Sequence, residues 1–353
     1  MHKEEYKIEF ILPGFLGDAE QKSMWRTPPF KALIQYWWRV AVAKEHGYDW
    51  QKIREREGRL FGHAWLKDEK GKDWAMRSRV RIRLEQCKSG QLQNWEGKDP
   101  KIKHPEVKFP VGSQLYLGYG PLAYKKGTGI SLKTSPAIGE HEENQLTLIY
   151  PEQEMVAFKH TMQLIHWFGT LGGRSRNGWG SIVLFNEALI NHDMFLGGKA
   201  DISNFQRPLA DCLREEWPHA IGSDADGVLI WKTQPCGSWQ DVMKKLAEIK
   251  IGYRTSLNVS KPFDERQVLA LPVTHHTPWD LKNERVANQI RFKVLFQQGK
   301  YYGLVFHLPC RFPNQLSDKL PDTGAQTILA NQENIWRKVH KYLDNNMKRT
   351  GSQ

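Results

Sequence analysis

Apolar and polar residues alternate imperfectly from Tyr6 to Leu12, which predicts a first strand broken by Pro13-Gly14. Phe30, Leu33, Ile34, Trp37, Trp38 and Ala41 then recur at i, i+3, i+4 and i+7, one face of a helix over 30–44. Thr27 is placed to cap that helix and Pro28-Pro29 to start it. Its apolar face suits packing on a sheet, while Lys31, Gln35 and Arg39 fall on another face. The mixed charges of 50–75 predict a solvated helix before Leu60-Phe61-Gly62. Arg77-Ser78-Arg79-Val80-Arg81-Ile82-Arg83-Leu84 is the clearest period-two run in the chain. Read as a strand, it sets Arg77, Arg79, Arg81 and Arg83 on one face and Val80, Ile82 and Leu84 on the other.

Residues 86–114 are polar and carry Gly90, Gly97, Pro100, Pro105 and Pro110, the composition of a long, partly mobile loop or insertion. Strands are predicted at 114–119 and 146–150, and a helix over 152–168. Lys125-Lys126-Gly127-Thr128-Gly129 reads as a hairpin tip or basic finger. A further strand covers 179–185. The organisation restarts near Ala188, so two domains are expected, 1–187 and 188–353. In the second, 201–217 and 239–252 read as helices, 228–232 as a short strand and 254–282 as an extended loop. Residues 289–298 and 301–308 read as a hairpin turning at Gln298-Gly299-Lys300, and 325–343 as a final amphipathic helix.

Between the helix ending near Phe168 and the next strand lies Gly169-Thr170-Leu171-Gly172-Gly173-Arg174-Ser175-Arg176-Asn177-Gly178-Trp179-Gly180-Ser181. One reading is a helix C-cap followed by a tight turn, where glycine is common. The other is an anion cradle, because exposed amides beside guanidinium groups hold phosphate oxygens. The balance of the chain favours the anion. Its 353 residues carry 51 Lys and Arg against 39 Asp and Glu, a net charge of +12 that suits a polyanionic partner. Fourteen tryptophans and eleven tyrosines add flat faces on which bases stack.

The same totals exclude several classes. The four cysteines form no CxxC pair, so neither a zinc ribbon nor a redox motif is indicated. The segment 33–43 is too short to cross a membrane and contains Arg39. The N-terminus reads as a charged strand rather than a secretory signal. The expectation is a cytoplasmic protein with reduced thiols, no cofactor and no membrane partner.

Three features together resemble the repeat-associated mysterious protein (RAMP) superfamily of CRISPR systems. They are the helix entered through Arg26-Thr27-Pro28-Pro29-Phe30-Lys31 and running to Tyr36-Trp37-Trp38-Arg39, the Leu60-Phe61-Gly62 segment before an arginine-bearing strand, and the Gly-Gly-Arg-Ser-Arg-x-Gly-x-Gly core of the loop. In order and spacing the chain looks like the first-subunit family of the type III-B Cmr effector complex. Residues 1–185 carry this resemblance, and the second half is similar more loosely through Glu284-Arg285-Val286-Ala287-Asn288-Gln289-Ile290. The resemblance implies an α+β chain of two ferredoxin-like (βαββαβ) domains with long loop insertions. It also implies a non-cleaving subunit of a ribonucleoprotein, in contact with guide RNA near its 3′ end, target RNA and other RAMP subunits.

The candidate RNA-binding residues are Lys31, Arg39, Arg77, Arg79, Arg81, Arg83, Gly172, Gly173, Arg174, Ser175, Arg176 and Gly178. No catalytic or metal-ligating set stands out. The histidines at 46, 63, 160, 166, 275 and 276 have no evident partner in sequence, Asp18 is a single carboxylate, and HExxH is absent. A competing reading is a metal-independent endoribonuclease of the same superfamily that processes guide RNA. Its members usually carry the glycine loop near the C-terminus, whereas half of this chain follows it. Trp25, Trp65 and Trp74 are candidate exposed aromatics for RNA or a neighbouring subunit.

Overall fold

Tyr6, Ile8 and Phe10 alternate with charged residues, and this alternation builds β1 (His2–Phe10), buried on one face. The apolar stripe that follows forms α1 (Thr27–Val42), burying Phe30, Ile34, Trp37, Trp38, Val40 and Val42. Its start differs from the expectation. Arg26 occupies the N-cap without a capping side-chain hydrogen bond, Thr27 is already helical, and the prolines set the first turn. The mixed-charge segment forms α2 (Trp50–Phe61), where the Asp49 carboxylate accepts from the amides of Gln51 and Lys52. There follow β2 (Arg81–Leu84), β3 (Glu143–Tyr150), α3 (Met155–Phe168) and β4 (Ile182–Phe185). The computed structural model describes residues 1–67, 70–186, 189, 202–259, 263–273, 283–320 and 323–350.

The protein is a mixed α+β chain of several small, mainly antiparallel sheets, divided into two compact units. The first comprises residues 1–96, 120–175 and 179–205, the second 97–119, 176–178 and 206–353. The boundary expected at 187–188 lies outside the described residues. In the first unit the sheet runs β4-β1-β3-β2, every neighbour antiparallel, with Phe10 opposite Ile182 and Tyr6 opposite Leu146. Helices α1 and α3 pack on each other, α1 against β2 and α3 against β4. Aromatic rings fill the space: Trp37 stacks on Phe168 at 5.6 Å and Tyr150 on Phe158 at 4.1 Å. Each such ring buries on the order of 200 Å², and burial at about 25 cal/mol per Å² makes these contacts the main source of the unit's stability.

In the second unit the same sequence of elements recurs: β5 (Ile230–Lys232), α4 (Trp239–Thr255), β6 (Ile290–Gln297), β7 (Lys300–His307), α5 (Gln332–Asn346) and β8 (Lys348–Arg349). The sheet order is β6-β7-β5-β8, again antiparallel. Counted within its own unit, each sheet therefore runs fourth, first, third, second. The β6–β7 hairpin forms as expected, and its two-residue turn puts Gln298 and Gly299 at φ 51° and 71°.

Several elements depart from their sequence pattern. Of residues 114–119, all but Tyr119 lie in a short helix (Ser113–Gly118), because the Asp99 carboxylate accepts from the amides of Gln114 and Leu115 at 2.8 and 3.2 Å. The 201–217 stretch breaks into a 3₁₀ turn (Ile202–Phe205), a strand (Gln206–Pro208) and one helical turn (Leu209–Cys212). Pro208, which cannot sit inside a helix, divides it. The final amphipathic segment is two helices, Thr323–Ala330 and α5, parted at Asn331. Between 254 and 282, α4 continues to Thr255 and a short helix covers Glu265–Leu269. Among the described residues no helix is long and apolar enough to cross a membrane.

The core of the second unit holds a titratable pair. His307 Nδ1 lies 2.9 Å from His340 Nε2, with the Trp336 ring 4.3 Å from His307 and the Trp231 ring 5.6 Å from His340. Burial pushes both imidazoles well below the ordinary value near 6.5; Arg349 and Arg337 add to the lowering at His340, and Asp224 opposes it. A depressed folded-state value means that the unfolded chain takes up more protons below about pH 6.5. The pair's contribution to stability is thus fully present above that value and is lost progressively as the pH falls below it toward the depressed folded-state values. The melting temperature is expected to be lower at pH 5 than at pH 7, with His307→Gln narrowing the gap in thermal melts. An equal melting temperature at both values would contradict this.

Candidate nucleic-acid interface

The glycine-rich loop is held by its own backbone. Gly169 ends α3, its amide donating to the Ile165 carbonyl at 2.7 Å. From there Leu171 N–H donates to Gly180 O, Gly180 N–H to Pro13 O and Gly173 N–H to Phe15 O, at 2.9, 2.9 and 2.8 Å. Three positions leave no room for a side chain, Gly169 among them, where a Cβ would lie 2.4 Å from the Ile165 carbonyl oxygen. Gly180 has φ +64° and a Cβ there would lie 2.0 Å from the Leu171 carbonyl oxygen. Gly172 has φ +89° and a Cβ there would lie 2.5 Å from the Phe15 oxygen. Much of the glycine content therefore serves close backbone packing. The Gly173 amide is already committed to Phe15, and Gly178 is buried at φ +93° beside Phe292.

What this framework presents is Arg174. It is exposed and held in the left-handed region at φ 57°, and Gly120 lies close to its guanidinium, where a Cβ would stand 3.4 Å from Nη2. Ser175 is half-buried, with no side-chain hydrogen bond among the described residues. Residues 176–178 belong to the second unit, where the Arg176 carbonyl accepts from Phe292 N–H at 3.0 Å. The Arg176 side chain is exposed and makes no ion pair or hydrogen bond among the described residues.

The arginine run keeps its alternation of exposure but not its strand. All four arginines are exposed, while Val80 and Leu84 are buried and Ile82 half-buried. Only Arg81 and Arg83 lie on β2; 77–80 are diverted. Arg79 N–H donates to the Leu60 carbonyl at 2.9 Å, and the Ser78 hydroxyl accepts from Val80 N–H at 3.2 Å. Gly62 permits this approach, for a Cβ there would meet Ser78 N at 2.7 Å. None of the four guanidinium groups has an ion-pair or hydrogen-bond partner among the described residues.

Lys31 and Arg39 have structural partners. Lys31 Nζ donates to the Phe61 carbonyl at 3.0 Å, closing the end of α2. Arg39 binds Glu57 through Nε and Nη2 at 2.6 and 2.7 Å, and this hydrogen-bonded carboxylate holds the guanidinium above its ordinary value. Trp25 is a correction. It is fully buried between Phe10 and Phe30, and its indole N–H donates to Glu142 at 3.1 Å. Trp74 is half-buried, and the Trp65 side chain lies outside the described residues.

Residue patterns alone did not single out two groups. Trp95, from the polar 86–114 stretch, packs its ring 5.4 Å from Trp179 and 6.2 Å from Phe15, beneath the loop. In the second unit Asn177 donates to the Leu117 carbonyl and accepts from Lys250 Nζ, both at 2.7 Å. Neither had a periodic signal. The candidate acids and bases have local partners: the Asp18 carboxylate accepts from the amides of Glu20 and Lys22, His46 faces Arg56 at 2.9 Å, and His63 packs on Trp74. Burial lowers His160, whose ring meets Phe205. His275 and His276 lie outside the described residues. No group of three or more His, Cys, Asp or Glu suited to a metal occurs among the described residues.

No protein-family model and no curated protein matches the chain. Among solved structures it is similar to the apo crystal structure of Cmr1 from Pyrococcus furiosus, at 18% identity and a TM-score of 0.45 over 97% of both chains. It is similar also to a chain in the cryo-EM structure of the type III-B Cmr-beta bound to cognate target RNA, at 10% identity and a TM-score of 0.43, over 95% of this chain and 99% of that one.

Proposed function

We propose that this chain is a non-cleaving RNA-binding subunit of a type III-B CRISPR (Cmr) ribonucleoprotein. It contacts guide RNA near the 3′ end, target RNA or both, alongside other RAMP subunits in antiviral defence. The observation that carries this reading is the exposed row Arg77, Arg79, Arg81 and Arg83, which has no carboxylate partner among the described residues. Like charges at this spacing repel one another, and a phosphodiester chain supplies the missing neutralisation. Arginine suits that partner, since its planar fork takes two phosphate oxygens at once.

The glycine loop contributes differently: its backbone holds Arg174 in a fixed left-handed conformation, so little side-chain-bearing backbone has to be ordered on binding. Its sequence resemblance to the RAMP glycine-rich loop supports the assignment, and the fourth-first-third-second order of both sheets supports reading each unit as ferredoxin-like. The local partners of His46, His63 and Asp18 favour gripping over cutting.

Arg174→Ala combined with Arg176→Ala is expected to flatten the dependence of log affinity on log salt by about 1.4 units, at about 0.7 per lost phosphate contact on single-stranded RNA. Filter binding across a salt series measures it. An unchanged slope would remove these two arginines from the interface.

A further inference from the structure

In the first unit, α2 and the neighbouring hairpin (His63–Lys67 with Asp73–Met76) enclose an open groove of about 1020 Å³, apart from the glycine loop. Gly58 sets their separation, because a Cβ there would press Leu66 at 2.8 Å. Tryptophans stand on both sides. Trp50 on α2 is 47% exposed, unusual for so large a ring, and Trp74 on the hairpin is half-buried. The Arg54 guanidinium lies 5.8 Å from the Trp50 ring centre, and that of Arg59 lies 5.7 Å from the Trp74 ring centre. Among the described residues lining the groove, Arg54, Arg59, Lys67 and Lys70 are cationic and Glu55, which pairs with Arg59, is acidic.

Flat apolar walls inside a cationic rim match the two chemistries of an unpaired nucleotide. A base presents π-faces for an indole, and its phosphate meets guanidinium or ammonium. An acidic peptide would use the rim and leave the indoles unused, and a duplex hides its base faces within the stack. We propose that this groove takes unpaired nucleotides of single-stranded RNA, stacking bases on Trp50 and Trp74 with phosphates along Arg54 and Lys67. The inference rests on the RNA-binding reading and adds to it a site that distinguishes single strands from duplex.

Fluorescence anisotropy of the full chain tests it, using a labelled single-stranded oligouridine, a blunt RNA duplex and a labelled polyglutamate. Trp50→Ala and Trp74→Ala are each expected to weaken single-strand binding roughly tenfold, with the duplex changed less than twofold. Trp50→Phe, which keeps a stacking face, should recover most of the loss, separating stacking from any effect on folding. A 4-thiouridine probe should crosslink to the segment 50–59. Equal losses on duplex and single strand, tryptophan-dependent binding of polyglutamate in place of RNA, or no effect of the double tryptophan variant would each overturn the proposal. In the last case, RNA binding still abolished by changing Arg77 to Arg83 would leave the RNA-binding reading standing. A wild-type chain that binds neither RNA would end both.

Discussion

Replacing Arg77, Arg79, Arg81 and Arg83 together with alanine is expected to weaken single-stranded RNA binding by about two orders of magnitude at physiological salt. Each phosphate contact contributes about 0.7 to the log–log salt slope on a single strand, so four contacts contribute about 2.8. If variant and wild type converge near molar salt, where screening is complete, that slope difference gives roughly 200-fold at 0.15 M. Folding should hardly change, because all four side chains are exposed and have no partner among the described residues to lose. Lys7 is the internal control. It lies on the same sheet but is paired with Glu143 at 2.7 Å, so Lys7→Ala removes a charge already neutralised and should leave the slope almost unaltered. Isothermal or filter-binding titrations at several salt concentrations separate the two. A quadruple variant with wild-type slope would show that the row faces something other than RNA.

Gly180→Ala is expected to destabilise the first unit by about 3 kcal/mol, within the range of severe single substitutions. Two costs combine. A side chain in the left-handed region costs roughly 1–2 kcal/mol. The new Cβ would also stand 2.0 Å from the Leu171 carbonyl oxygen, on a segment tied down by the hydrogen bond from Leu171 to Gly180 itself. Gly47→Ala isolates the first cost, for Gly47 has φ +59° and nothing within 4 Å of its would-be Cβ. Thermal melts should show a drop of several degrees for Gly180→Ala and a clearly smaller one for Gly47→Ala, the difference measuring the clash. Equal shifts would mean that the loop relaxes freely and is not the rigid mount for Arg174 described above.

Where burial sets the pattern, the elements were readable. The stripe of α1, the alternation of β1 and the Gln298-Gly299 hairpin all follow from which side chains leave water and which turn the strands demand. Interactions distant in sequence were not. Arg77 to Val80 satisfy strand periodicity, yet the carbonyl of Leu60 takes the Arg79 amide. Thr27 has the chemistry of a cap but yields that place to Arg26. Trp25, a candidate exposed aromatic, is in the core, where Glu142, far along the chain, supplies a partner for its indole N–H. Within the candidate interface, composition alone marked Arg174 and Arg176 but could not tell a glycine amide open to a ligand from one bound to Phe15. Nor could it show that Glu57 and Phe61 already engage Arg39 and Lys31.

The central claim, an RNA-binding subunit of a Cmr-type assembly, is tested most directly by purifying the tagged chain from its native cells at moderate salt. The co-purifying RNA is then sequenced and the bound proteins identified. The expected result is short RNAs carrying CRISPR-repeat sequence together with other RAMP subunits, both depleted when Arg77, Arg79, Arg81 and Arg83 are alanine. Recovery of the intact chain with neither repeat-derived RNA nor such subunits would contradict the account.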